Sequence, residues 1–188
     1  MSHAPLVPFG TFEDAAPAVT RPEAVAAPVA AALAAWPDAA GPVDSVVLVD
    51  SDPEKADTAV FCESYGVDAE VSANCVVVAA KRGQETQLAA CVVLATTRLD
   101  VNRTVRKHLG ARKASFAPMD VAVAETGMEY GGITPIGLPG TWPLLVDARV
   151  VNTPHVLIGS GLRRGKLILP GADLAALPGA TVLPDLAG

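Results

Sequence analysis

The segment Gly131-Gly132-Ile133-Thr134-Pro135-Ile136-Gly137 constrains this chain more than any other. Paired glycines followed by a proline and a third glycine do not suit the interior of a helix or a central strand. The segment reads as a stiff loop whose backbone N–H and C=O groups can approach a ligand with no side chain in the way. A tight turn between two elements explains the heptapeptide alone equally well. What surrounds it must decide.

The chain has 188 residues, 51% of them hydrophobic, enough for one domain with a full-sized core. The Ala-rich run 24–36 is too short for a membrane span and is interrupted by Pro28. Met1–Pro5 lacks a charged region followed by an apolar core, so no signal peptide is read and a cytoplasmic protein is expected. Cys62, Cys75 and Cys91 have no paired metal-type spacing. Cys75 and Cys91 fall within apolar runs, which fits buried, reduced thiols better than ligands or a disulfide.

The net charge of −6 hides an asymmetry. Residues 1–70 carry twelve acidic and two basic side chains, whereas residues 71–188 carry eight and twelve. Six cations (Arg98, Arg103, Arg106, Lys107, Arg112, Lys113) face one acid, Asp100, within residues 98–113. Such a patch suits one face of a nucleic acid, and it equally suits a solvated helix surface.

Along the chain, residues 1–19 read as an irregular arm. Thr20-Arg21-Pro22-Glu23 has capping-box spacing and predicts a helix start, with a kink at Pro28 and an end near Trp36. A buried strand is expected over 45–49. Asp57 then caps a helix over 58–65 that Gly66 stops. Strands over 74–80 and 88–96 flank a polar hairpin, 81–87. Asp100 caps a helix over 101–109, with Val101, Val105 and Leu109 as its apolar stripe and Arg103, Arg106 and Lys107 off it. A helix over 118–126, strands over 144–150, 155–159 and 166–169, and a short helix over 172–177 complete the reading. The pattern predicts an α/β (α+β) domain with a mixed, curled sheet flanked by helices.

This order of elements, with Arg98-Leu99-Asp100 opening a basic helix, the glycine–proline loop, and Gly159-Ser160-Gly161-Leu162-Arg163-Arg164-Gly165, resembles the YbaK/EbsC family. That family belongs to the superfamily of the prolyl-tRNA synthetase editing domain. The resemblance covers about residues 57–178 of a single domain spanning 1–188, with 1–56 a divergent N-terminal part. It implies hydrolysis of the ester bond of mischarged aminoacyl-tRNA. The implied partner is the tRNA acceptor end, with no DNA or membrane partner and no metal or organic cofactor. Carried over, the backbone of Gly131 and Gly132 shapes the ester site and Thr134 and Pro135 fix the loop. Gly161 and Arg163 lie near the pocket, while Arg103, Arg106 and Lys107 meet the tRNA. No Ser-His-Asp or Cys-His machinery is implied, and His3, His108 and His155 are scattered.

One departure matters. The family expects a lysine at the start of the strand before the hairpin, and here that position is Asn74. Lys81 cannot replace it, because seven residues of strand separate the two by roughly 23 Å. An amide donates a hydrogen bond without charge, so a charge-assisted interaction of about 1.5–3 kcal/mol is weakened or absent. Three readings stay open. The cation comes from elsewhere, with Arg98 and Arg163 as candidates; the substrate has changed; or the module binds acceptor ends without hydrolysis.

Overall fold

The computed structural model describes residues 6–188. Residues 1–5, with His3 and the start of the N-terminal arm, lie outside the described residues. Strands β1 (Ala15–Pro17), β2 (Val47–Val49), β7 (Val156–Gly159) and β8 (Lys166–Leu169) form an antiparallel sheet in the order β1-β2-β8-β7. Strands β3 (Ala73–Arg82), β4 (Glu85–Leu94), β5 (Lys113–Phe116), β6 (Leu144–Asp147) and β9 (Ala180–Leu183) form a mixed sheet in the order β5-β3-β4-β6-β9. The helices are α1 (Ala27–Ala34), α2 (Thr58–Tyr65), α3 (Arg106–His108), α4 (Met119–Thr126) and α5 (Ala148–Val151).

The mixed α/β architecture with flanking helices is as expected, with the strands divided between two sheets that meet at a seam rather than lying in one. β5 pairs with β3 only over Val78–Lys81, leaving the first half of that edge uncovered. There a parallel bridge, Ser72 to Leu157, joins it to β7. The main core lies between the sheets, where Val29 and Leu33 of α1 pack on Val77, Val92, Val146 and Leu167. Each such aliphatic side chain contributes about 1.5–3 kcal/mol of burial. A second cluster, with Val78, Val101 and Val105, lies under the basic segment. A third sets Phe61 of α2 on Val47, Leu157 and Ile168.

Several local expectations are corrected. The chain at Thr20–Glu23 makes two short 3-10 turns rather than a helix start, and α1 begins later with Pro28 in its first turn. Proline costs nothing there because the first helical N–H groups have no intrahelical acceptor, so no kink results. The expected polar hairpin is mostly ladder. Arg82 pairs with Glu85, and Gly83 at φ 63° supplies the left-handed residue of a two-residue turn. The strand expected over 144–150 stops at Asp147, whose buried carboxylate accepts from the Arg149 N–H at 2.8 Å and starts α5. The basic segment begins with a wide π turn, Val101–Val105, before α3. The arm contains β1, and short strands at 113–116 and 180–183 join the mixed sheet's edges.

Candidate functional site

Helix α2 and Gly66, in the left-handed region at φ 63°, match the expected bounds. Asp57 occupies the N-cap position, yet its side chain makes no capping hydrogen bond. It instead lines a cavity of about 360 Å³ at the seam between the sheets. One wall comes from α2 and the start of β3, including Thr58, Asn74 and Cys75. The facing wall comes from β7, β8 and the glycine loop, including Gly131, Gly159 and Lys166. Phe61, Leu157 and Ile158 make its floor apolar.

The glycine loop is locked by its neighbours. The Glu129 N–H donates to Gly161 O at 2.9 Å, and the Gly161 N–H donates to Gly132 O at 2.8 Å. A Cβ on Gly132 would overlap the Leu162 backbone, with its nitrogen at 2.9 Å and its carbonyl closer still. A Cβ on Gly159 would strike the carbonyl of Gly132. These glycines are therefore required by close backbone approach. Gly131, at φ 85°, is exposed and lines the cavity, with the Arg163 guanidinium over it. The Arg163 side chain donates to Tyr130 O at 3.4 Å.

The other candidate residues divide between the cavity and elsewhere. Asn74 stands at the rim, its Oδ1 accepting from the Thr58 hydroxyl at 3.0 Å. Gly132 is buried behind the loop, and its N–H is already bonded to Glu129 O at 2.9 Å. Gly161 packs against Ala26 of the segment entering α1. Thr134 is fully enclosed with no partner for its hydroxyl, and Pro135 lines a separate apolar cleft beside Trp36. Arg98 exchanges backbone hydrogen bonds with Gly188 and lies in a groove that shares no lining residue with the cavity. Arg103, Arg106 and Lys107 are exposed on the basic segment, as the apolar stripe requires.

Cys75 and Cys91 titrate far from neutrality. Burial pushes both thiols up, Cys91 to about 12. Cys75 lines the cavity, but as a protonated thiol it is a poor nucleophile.

Sequence reasoning missed Lys166. Its position in β8, between Val49 of β2 and Gly159 of β7, buries it to 8% exposure. Its ammonium lies 5.5 Å from the Phe61 ring centroid and donates to Ala56 O at 3.3 Å. Desolvation, aided by the Arg163 charge, draws its pKa down, against the opposing pull of Asp57 and Cys62. One signal was available. Strand side chains alternate, so Lys166 shares a face with Ile168, which packs on Phe61.

Comparison with solved structures places this architecture among known folds. It superposes on a candidate trans-editing enzyme for prolyl tRNA synthetase with a TM-score of 0.71 and 20% identity, covering 86% of this chain and 96% of that one. A scaffold protein from work on computational grafting of linear epitopes also gives 0.71, at 21% identity over 87% and 97% of the two chains. A hypothetical protein, APE2540, gives 0.67 at 22% identity over 75% and 90%. At these identities the likeness speaks to the fold. The family model for the aminoacyl-tRNA editing domain matches residues 52–177, which hold both cavity walls and the glycine loop, and the chain belongs to that family.

Proposed function

We propose that this protein hydrolyses the ester bond of mischarged aminoacyl-tRNA in trans, with the acyl group and terminal ribose in the seam cavity. The observation that carries this reading is the locked glycine loop, which presents side-chain-free backbone at Gly131 on the wall of a small, partly apolar cavity. Membership of the editing family and the described role of one structural relative agree with it.

The chemistry follows from the geometry. A prepositioned backbone dipole stabilises a developing oxyanion without reorganising, and a single such donor is worth roughly 10²–10³-fold in turnover. Water attacks the ester carbon, and the neighbouring ribose hydroxyl assists, as the family resemblance implies. The apolar floor sorts acyl groups by size, although one methylene is worth only about 1–3 kcal/mol of discrimination. Cys75, whose thiol burial holds in the protonated form, takes no nucleophilic role in this reading.

The test is deacylation of a panel of correctly and incorrectly charged tRNAs by wild type and Gly131→Ala. Gly132→Val would be uninformative, because any Cβ there collides with the Leu162 backbone. At Gly131 the added methyl meets mainly the movable Arg163 side chain, and the positive φ costs about 1–2 kcal/mol. Wild type is expected to clear one mischarged species, and Gly131→Ala to clear it about 10²-fold more slowly while remaining folded, because the methyl and the positive φ displace the loop backbone from the ester although the N–H is retained. Binding of charged tRNA without any turnover by wild type would favour the non-hydrolytic acceptor-end module instead.

A further inference from the structure

An ammonium buried beside an aromatic ring is an expensive thing for a fold to keep. The desolvation penalty is large unless partners replace the lost water. Lys166 has three donors, and the structure gives it one long acceptor, Ala56 O at 3.3 Å. Among the described residues the ion pairs are Arg21–Asp14 and Arg164–Asp50, so no carboxylate lies within 4.0 Å of it. Its strand partner on the cavity side is Gly159, and Gly131 lies on the same wall, so the space before the ammonium is bounded by glycine backbone. On the opposite wall the position where the family resemblance expects a cation is the neutral Asn74, held by Thr58, and the charge that wall does carry is the carboxylate of Asp57, which attracts the ammonium without pairing with it.

We propose that Lys166 is the substrate-contacting cation of this cavity, donating to the carbonyl oxygen of the scissile ester and to the oxyanion formed from it. The proposal rests on the ester-hydrolysis reading and assigns it a catalytic residue on the β8 wall. Water oxygen bonds to the ester carbon, and the carbonyl electron pair moves onto the oxygen held by Lys166. That pair then returns as the bond to the ribose oxygen breaks. One water proton ends on the ribose hydroxyl, the acyl group leaves as a carboxylate, and its proton passes to solvent. Lys166 keeps its protons throughout. Its lowered pKa makes the ammonium a stronger donor to a developing negative charge.

The experiment compares wild type, Lys166→Met and Lys166→Arg in two assays. One is single-turnover and steady-state deacylation. The other is binding of a non-hydrolysable adenosine carrying an aminoacyl group through a 3′ amide. Methionine keeps the apolar stem over Phe61, so a purely structural lysine would be replaced without loss of activity. The expected result is a fall in kcat of about 10²–10³-fold with a rise in KM of no more than about tenfold. Analogue affinity should drop about tenfold in Lys166→Met, and Lys166→Arg should recover part of both losses. Lys166→Met with kcat and analogue affinity within threefold of wild type would overturn the proposal while leaving the hydrolysis reading standing. If wild type binds the analogue but turns over no charged tRNA, the hydrolysis reading falls. The interaction is then judged on affinity alone: weaker binding by Lys166→Met supports it, and equal binding overturns it. A wild type that neither turns over nor binds removes both.

Discussion

Positive charge occurs in this molecule in two opposite forms. On the basic segment, Arg103, Arg106 and Lys107 stand exposed while Val101 and Val105 anchor the backbone beneath them. In the seam cavity a single lysine is buried against an aromatic ring. The exposed cations remain hydrated, cost the fold little, and act through an attraction that salt screens within about 8–10 Å. The buried one burdens the fold, and water screens it far less from whatever shares the cavity. On the proposed reading, the number of exposed charges draws a polyanion in, and the environment of the one buried charge acts on the docked ester.

The sharpest way to break this contrast is to reverse the exposed charges. Arg103→Glu, Arg106→Glu and Lys107→Glu together are expected to weaken tRNA binding about 10²-fold at low salt. The log–log salt slope should become shallower by roughly 0.7–0.9 for each phosphate no longer neutralised. Turnover at saturating substrate should change little, because these side chains lie outside the cavity. Filter binding at four salt concentrations, beside single-turnover deacylation, measures both. Unchanged affinity would return the segment to an ordinary solvated surface.

The buried side of the comparison is read in stability. Lys166→Met should raise the free energy of unfolding at pH 7 by about 1–3 kcal/mol, since an imperfectly partnered buried charge is replaced by an apolar group of similar shape. The pH dependence follows from linkage. The native pKa of Lys166 is lowered, so between that value and the ordinary 10.5 the unfolded chain binds more protons than the folded one. Wild type must therefore gain stability relative to the variant as pH rises through that window. Urea titrations at pH 7 and near pH 10.5 should show the gap narrowing. A constant gap would mean that packing, not charge, sets the difference.

The exposed region was legible in the sequence and the buried cation was not, for a physical reason. Arg103, Arg106 and Lys107 could be placed because Val101 and Val105 fix a helical stripe from local spacing alone. Asp57, Gly66 and the bounds of α2 are likewise local signals. Lys166 opens a four-residue strand, where a charged residue reads as a solvated end. Its burial depends on β2 and β7, which arrive from 117 and 7 or more residues away in the chain, and on α2 closing over the strand. The hairpin between β3 and β4 was legible, but its loop was drawn too long for the converse reason: Lys81, Arg82, Glu85 and Thr86 are polar because that end of the ladder is exposed, not because it is a loop. The glycine loop was found at once, but which glycine meets the cavity was not. Gly131 is exposed at a positive φ beneath the movable Arg163, whereas Gly132 is buried against the Leu162 backbone, and neither difference can be read from adjacent glycines in a sequence.

The smallest effect is expected two residues before Lys166, on the outer side of the same turn. Arg164 grips Asp50 with two hydrogen bonds of 2.8 Å, tying residues 160–165 to the end of β2. The guanidinium holds the Asp50 carboxyl below its usual range. Both side chains are well exposed, at 69% and 43%, so solvent screening leaves the pair little to contribute to stability. A depressed carboxylate pKa stabilises the fold above the ordinary value of 3.8, and that contribution disappears as pH falls through the native pKa. Arg164→Gln should therefore cost little stability at pH 7, and that small cost should fade as pH falls through the native pKa of Asp50 and in high salt. Deacylation should stay within a fewfold of wild type. Should Arg164→Gln lose as much turnover as Lys166→Met, the tethering of the turn rather than the buried charge would govern the cavity. The exposed member of this pair of neighbours would then matter as much as the buried one.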